Sequence, residues 1–263
     1  MRFARVNGGV IHFSDEGPPG APTIAFSNSL GTDFRIWDEV VKPLAAHLRV
    51  IRYDGRGHGL SELRTGASAI SDFASDLAAL LDSREVRKAT IVGLSIGGMV
   101  AQELYRLRPD LIRSLVLCDT AHRIGTTESW TNRIDAINKG GLESIADAVM
   151  RPWFTRDYNN NCADAVAGWR AMLTRMPAAG YLAACAALRD ADLTLGASRV
   201  RAPTLCIVGD QDTSTSVALV RELSGLIPTA KLEIIIGAAH LPCIEKPAIV
   251  RGLIEAHLKD IAA

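Results

Sequence analysis

Three side chains in this 263-residue sequence could together perform nucleophilic catalysis: Ser95, Asp212 and His240. A serine hydroxyl attacks well only when a base takes its proton, an acid orients that base, and hydrogen-bond donors receive the oxyanion. Ser95 sits in Gly93-Leu94-Ser95-Ile96-Gly97, a G-x-S-x-G pattern directly after the apolar run "ATIVGL" and at the start of a helical stretch, 97–107. On so sharp a strand-to-helix turn a serine takes a strained backbone conformation and projects its Oγ from the carboxyl edge of a sheet. Gly93 and Gly97 leave space where chain segments would collide, and Gly98 lets the helix pack closely. The helix N-terminus adds unpaired N–H groups and a positive dipole end. A serine that merely caps a helix is the plainer alternative.

The base must come from six histidines. His47 and His257 fall in helical stretches with polar neighbours and are expected in solvent, while His12 lies in an N-terminal hairpin, far in sequence from any strand's carboxyl end. His58, in the glycine-rich "RYDGRGHGLS", reads as structural, and His122 is a candidate substrate contact. His240, in "EIIIGAAHLPCIEKP", lies between the last strand and the last helix, on the edge where Ser95 projects, and is the expected base. For the acid, "CIVGDQDTST" ends a strand with Asp210 and Asp212. Asp212 is favoured by its G-x-x-D spacing from Gly209; Asp210 and Asp119 stay open. The oxyanion donors are expected to be the N–H groups of Ile96 and of Leu30 in "SNSLGTDFRIWD". A glycine turn leading into a helix at Trp37 is the competing explanation of that loop.

These residues need a scaffold that brings strand ends together, and the apolar periodicity supplies one. "FARVNGGVIHFS" predicts a hairpin around Asn-Gly-Gly. Further strands are predicted at 23–28, 49–54, 89–94, 112–119, 203–209 and 231–236, with helices near 37–47, 70–81, 97–107, 216–226 and 247–259. Such alternation implies a mostly parallel sheet covered by helices on both faces. Residues 124–197 interrupt it with helical patterns and three of the four tryptophans, and read as a helical lid inserted in one domain spanning 1–263.

Composition excludes several classes. Lys+Arg and Asp+Glu both number 29, without a polybasic run, which argues against a nucleic-acid partner. The five scattered cysteines lack metal-type spacing and are expected as reduced thiols. The opening residues lack the apolar core of a secretion signal, and no apolar run approaches the roughly 18 residues of a membrane span. A cytoplasmic protein without membrane contact is expected, its oligomeric state undetermined.

"SNSLGTDFRIWD", "RYDGRGHGLSE", "GLSIGGMVAQEL", "GDQD" and "GAAHLPCIEKP", in this order, resemble the α/β-hydrolase superfamily across essentially the whole chain. "LCDTAHRIGTTESWTNRI" and "MRPWFTRDY" narrow the resemblance to the 3-oxoadipate enol-lactonases, as does Asn28-Ser29 where many hydrolases carry His-Gly. The resemblance implies an eight-stranded, mostly parallel sheet with a helical lid. It also implies a Ser95–His240–Asp212 triad and oxyanion amides from Leu30 and Ile96. The implied reaction is cofactor- and metal-free hydrolysis of 3-oxoadipate enol-lactone to 3-oxoadipate in the β-ketoadipate pathway. That substrate carries a carboxylate, for which Arg133 and Arg123 are candidate partners, with Trp153 as an apolar wall. A carboxylesterase or other small-lactone hydrolase is the nearest alternative. A carbon–carbon bond hydrolase, a dehalogenase, which needs Asp where Ser95 stands, and a non-catalytic ligand receptor are more remote.

Overall fold

Asn7 (φ 47°) and Gly8 (φ 83°) both occupy the left-handed region, which two-residue hairpin turns require and which these two residue types tolerate best. In the computed structural model, which describes residues 2–64 and 68–261, that turn joins β1 (Arg2–Val6) to β2 (Gly9–Glu16). Six strands follow: β3 (Thr23–Ser27), β4 (Arg49–Tyr53), β5 (Ala89–Leu94), β6 (Ile112–Cys118), β7 (Thr204–Gly209) and β8 (Ala230–Ile235). They form one eight-stranded sheet, ordered β1-β2-β4-β3-β5-β6-β7-β8. β2 runs antiparallel to both neighbours, and every pairing from β4 to β8 is parallel. With helices on both faces, this is the α/β-hydrolase arrangement expected from the resemblance.

Strands covered on both faces read as unbroken apolar runs. All six residues of β5 and of β7 are buried, and each fully buried Val, Leu or Ile contributes about 1.5–3 kcal/mol. The predicted apolar stripe of helix Ile70–Ser83 is likewise buried, at Ile70, Phe73, Leu77, Leu80 and Leu81, and this helix packs on Ile96–Leu107. The helix expected at 37–47 is shorter, Asp38–Leu44, after a 3-10 turn at Phe34–Trp37. Pro43 inside it removes one N–H from the ladder.

Between β6 and β7 lie the helices Thr127–Gly140, Ala146–Met150, Arg156–Asn161, Ala163–Thr174 and Ala178–Asp190. Thr126 caps the first by accepting from the Ser129 N–H at 3.1 Å. Among the described residues no single helix is long and apolar enough to cross a membrane.

The strand order reverses between β3 and β5: β4 lies to one side, β6, β7 and β8 to the other. Chains leaving β3 and β5 therefore diverge and open a crevice at the carboxyl ends, where open α/β sheets place ligands. Register pairs Ser27 with Gly93 and Leu94 with Cys118, so the loops after β3, β5 and β6 begin at one level.

Candidate active site

Ser95 has φ 57° and ψ −120°, a conformation that costs a non-glycine residue on the order of 1–3 kcal/mol. Surrounding bonds hold it there: its N–H donates to the Cys118 carbonyl at 3.0 Å, and Thr120 Oγ1 donates to its carbonyl at 2.6 Å. A Cβ at Gly93 would strike the Gly97 carbonyl, one at Gly97 the Ser27 carbonyl, and one at Gly98 the Thr120 side chain. The glycines thus permit the elbow, the approach of β3 and the approach of the β6 loop, in that order.

His240 and Asp212 meet across the ends of β7 and β8, with Nδ1 2.8 Å from Asp212 Oδ2. Asp212 Oδ1 accepts from the N–H groups of Ser214 (2.7 Å) and Thr215 (3.1 Å), and Oδ2 also accepts from Thr215 Oγ1 at 2.6 Å. Burial works against the Asp212 charge, but His240 and Thr215 hold its carboxyl below the usual carboxylate range. A donating Nδ1 leaves Nε2 as the basic nitrogen of a neutral imidazole. Backbone bonds fix the ring's position, from the His240 N–H to the Pro152 carbonyl (3.2 Å) and from the Leu241 N–H to the Trp153 carbonyl (3.0 Å). Glu245 straps the same loop to the inserted helices, accepting from the N–H groups of Ala239 (2.7 Å) and Thr155 (2.9 Å).

The two other acid candidates lie elsewhere in this network. Asp210 closes the turn after β7 by accepting from the Gly237 N–H at 2.8 Å. Asp119 is fully buried and accepts from the Gly209 N–H at 2.9 Å. One carboxyl oxygen each from Asp119 and Asp212 and a ring nitrogen of His240 lie within 4.8 Å of one another. As metal ligands these three are a poor set, because His240 Nδ1 and Asp212 Oδ2 already bond each other.

Leu30, on the loop after β3, and Ile96, at the start of the helix after β5, are both buried. Ile96 opens its helix, so its N–H lacks an intrahelical acceptor. Among the described residues neither the Leu30 nor the Ile96 N–H enters a hydrogen bond. The Leu30 loop is held by Asn28, whose Nδ2 donates to the Tyr53 carbonyl (2.8 Å) and whose Oδ1 accepts from Trp37 Nε1 (3.0 Å).

Ser95, His240 and Leu30 line one cavity of about 140 Å³ with Ser29, Arg133 and Trp153. Ser95 Oγ and His240 Nε2 form no hydrogen bond with each other at 3.5 Å or less; such contacts often tighten only on substrate binding. Arg133 reaches the cavity from the inserted helix Thr127–Gly140, its guanidinium 4.8 Å from the Trp130 ring centre. Arg123 does not reach it; half exposed, it lies 4.0 Å from Asp192 on the surface. His122 is also diverted, with Nε2 3.5 Å from Glu222.

Two histidines depart from expectation. His12 is buried, and because antiparallel β2 carries it past the end of β4, its Nδ1 lies 2.7 Å from Asp54 Oδ2. His257 is buried rather than solvated, since it lies on the same buried face of its helix as Val250 and Ile254. His58 is structural as expected: buried, with Nδ1 3.1 Å from the Arg56 carbonyl, and desolvation holds its pKa below the usual histidine value. Three site residues escaped the sequence reading. Thr215 had a local signal, an Asp-x-x-Thr spacing that forms an Asx-type turn. Thr120 and Tyr181, the latter fully buried yet lining the cavity, had none.

A family model described as "Alpha/beta hydrolase family" matches residues 19–252. The chain is 32% identical to 3-oxoadipate enol-lactonase 2 of Acinetobacter baylyi over 95% of its own length and 93% of that protein's. To 3-oxoadipate enol-lactonase 1 of the same organism it is 33% identical, over 93% and 91%. Its structure superimposes on the crystal structure of the enol-lactonase from Burkholderia xenovorans LB400 with a TM-score of 0.95 at 35% identity, covering 98% of this chain and 100% of that one. A malate-bound thermophilic esterase from Thermogutta terrifontis follows with a TM-score of 0.93 at 26% identity, covering both chains fully. An α/β sheet carrying a strained serine at the end of β5, matched over this span, has one assignment: the chain belongs to the alpha/beta hydrolase family.

Proposed function

We propose that this hydrolase opens a small carboxylated enol-lactone, 3-oxoadipate enol-lactone to 3-oxoadipate in the β-ketoadipate pathway, through an acyl-enzyme. The observation that carries the reading is the meeting of Ser95, the His240–Asp212 pair and Arg133 on one small cavity. At about 140 Å³ the cavity is well under the roughly 300–1,000 Å³ of drug-sized sites, which suits a compact acyl group. The enol-lactonase names of the relatives support the substrate class.

In this mechanism His240 Nε2 removes the Ser95 proton as Oγ attacks the lactone carbonyl. The Leu30 and Ile96 amides receive the oxyanion, each strong donor contributing about 3–4 kcal/mol. Asp212 keeps the imidazole in the Nδ1–H tautomer and stabilises the imidazolium. Ring opening expels an enolate, which leaves more readily than an alkoxide and asks less acid assistance of His240. The imidazolium proton passes to the enolate as it becomes the ketone, and the neutral base is restored. Water activated by the same imidazole then releases the acid and restores Ser95. Arg133 pairs with the substrate's free carboxylate, Trp153 forms the apolar wall, and the helices within 124–197 act as the lid of a single domain. The reaction needs neither metal nor cofactor, and we place it in the cytoplasm, where the five free thiols stay reduced.

The test is kcat/KM for the enol-lactone beside simple aryl esters, with Ser95→Ala as control. A preference for the lactone and loss of all turnover in Ser95→Ala are expected. A clear preference for the esters would shift the assignment to carboxylesterase, a reading favoured by the full-length similarity to the Thermogutta esterase.

A further inference from the structure

Asp119 contributes to the site in a way that its sequence position does not reveal. It follows β6 with φ 43°, an uncommon conformation for a non-glycine residue. Its N–H donates to the Ile207 carbonyl at 2.8 Å, and its Oδ1 accepts from the Gly209 N–H at 2.9 Å. These bonds pin the carboxyl between the ends of β6 and β7. Oδ2 is buried without a hydrogen-bond partner, while an Asp119 oxygen, an Asp212 oxygen and a His240 nitrogen share a 4.8 Å sphere of contact. An ionised Asp119 would put a second negative charge against Asp212 with no cation of its own, an arrangement that buried carboxyl pairs avoid by keeping one proton.

We propose that Asp119 is a positioning residue, which carries a proton on Oδ2 and offers it to the Asp212 carboxylate, thereby fixing the acid that orients His240. The inference rests on the Ser95–His240–Asp212 reading. Oδ1 is already an acceptor, so the hydroxyl belongs on Oδ2, and the orphaned atom becomes the donor in the side-chain pairing of Asp119 with Asp212. Burial first, and the Asp212 charge second, push the Asp119 carboxyl well above the usual range. The other titratable groups around it are Glu245, Cys118 and Cys243, none of which supplies positive charge. Both thiols are themselves pushed up, chiefly by burial.

The experiment measures kcat, KM and the pH profile of kcat/KM on p-nitrophenyl acetate for the full chain and for Asp119→Asn, Asp119→Ala, Asp212→Ala and His240→Ala. Asn keeps a donor at the Oδ2 position and no charge, so Asp119→Asn should stay within about threefold of wild type with an unmoved acid limb. Asp119→Ala should lose about 10- to 100-fold in kcat at little-changed KM, the kinetic equivalent of one hydrogen bond to a charged group. An acid limb displaced downward by about one unit in Asp119→Asn would mean that a negative charge beside His240 had been removed, and the proposal would fall. It would fall equally if Asp119→Ala matched wild type, or if Asp119→Asn lost as much as Asp119→Ala. Should Asp119→Ala not fold, the Asp119→Asn profile decides alone. Full activity in His240→Ala and Asp212→Ala would instead overturn the relay itself, a result separable from any behaviour of the Asp119 variants.

Discussion

Trp37 Nε1 donates to Asn28 Oδ1 at 3.0 Å, tying the first helical turn after β3 to the loop that carries Leu30. The same amide reaches the Tyr53 carbonyl at 2.8 Å, so one buried side chain joins the ends of β3 and β4 to the wall of the cavity. The loop is therefore more than a glycine turn leading into a helix. Asn28→Ala leaves an indole N–H and a carbonyl unpaired, each costing about 1–3 kcal/mol. Thermal denaturation should show that loss, and kcat should fall about 10- to 100-fold as the Leu30 amide drifts. Unchanged kcat would separate Asn28 from the oxyanion site.

Asp212→Asn should keep the fold and lower kcat by about 10³- to 10⁴-fold, because an amide favours the wrong imidazole tautomer. The Asp212 carboxyl lies below its usual range in the folded chain. Its stabilisation is thus present above the unfolded-state pKa, near 3.9, and is lost as pH falls through the lower folded value. Denaturation of wild type and variant should differ most at neutral pH and converge in acid. A difference independent of pH would contradict the lowered Asp212 carboxyl.

Arg133→Met removes the one cation that lines the cavity among the described residues. KM for a carboxylated lactone should rise about tenfold or more, as expected for losing a charge-assisted pair, while KM for a neutral ester stays nearly constant. Equal changes on both substrates would assign Arg133 to packing on Trp130 instead. Arg123→Met, remote from the cavity, should affect neither substrate.

Asp119 makes a stability prediction of opposite sign. An acid whose folded pKa is raised contributes fully below its unfolded pKa and loses that contribution as pH climbs towards the folded value. Asp119→Asn lacks this penalty. Its stability relative to wild type should rise from about pH 4 upward, by at most about 1.4 kcal/mol per unit. Urea denaturation at several pH values from 4 to 7 measures it, and a flat difference would mean that Asp119 titrates normally.

How far the sequence reaches depends on the range of the forces involved. Strands and their order along the chain follow from runs of apolar residues, and the elbow from three glycines whose missing side chains are needed within a few residues of Ser95. The His240 loop was found the same way, by its place after the last strand. These are local constraints, expressed through backbone sterics and periodicity. His257 is buried against the solvent expectation because burial depends on what packs against a position, and His12 reaches the end of β4 because strand pairing, not sequence distance, sets its neighbours.

By itself, then, the sequence determined the α/β scaffold, the family and the chemistry-bearing types at positions 95, 212 and 240. Only the tertiary structure decided that Arg133 and not Arg123 reaches the cavity, that Thr215 bonds Asp212, and that Asp119 lies against the same carboxylate. Those relationships join loops up to about a hundred residues apart in sequence, such as the Gly209 N–H and Asp119 Oδ1, 90 positions distant. Sheet register sets them, aligning the ends of β5, β6 and β7, and register is a property of the packed whole.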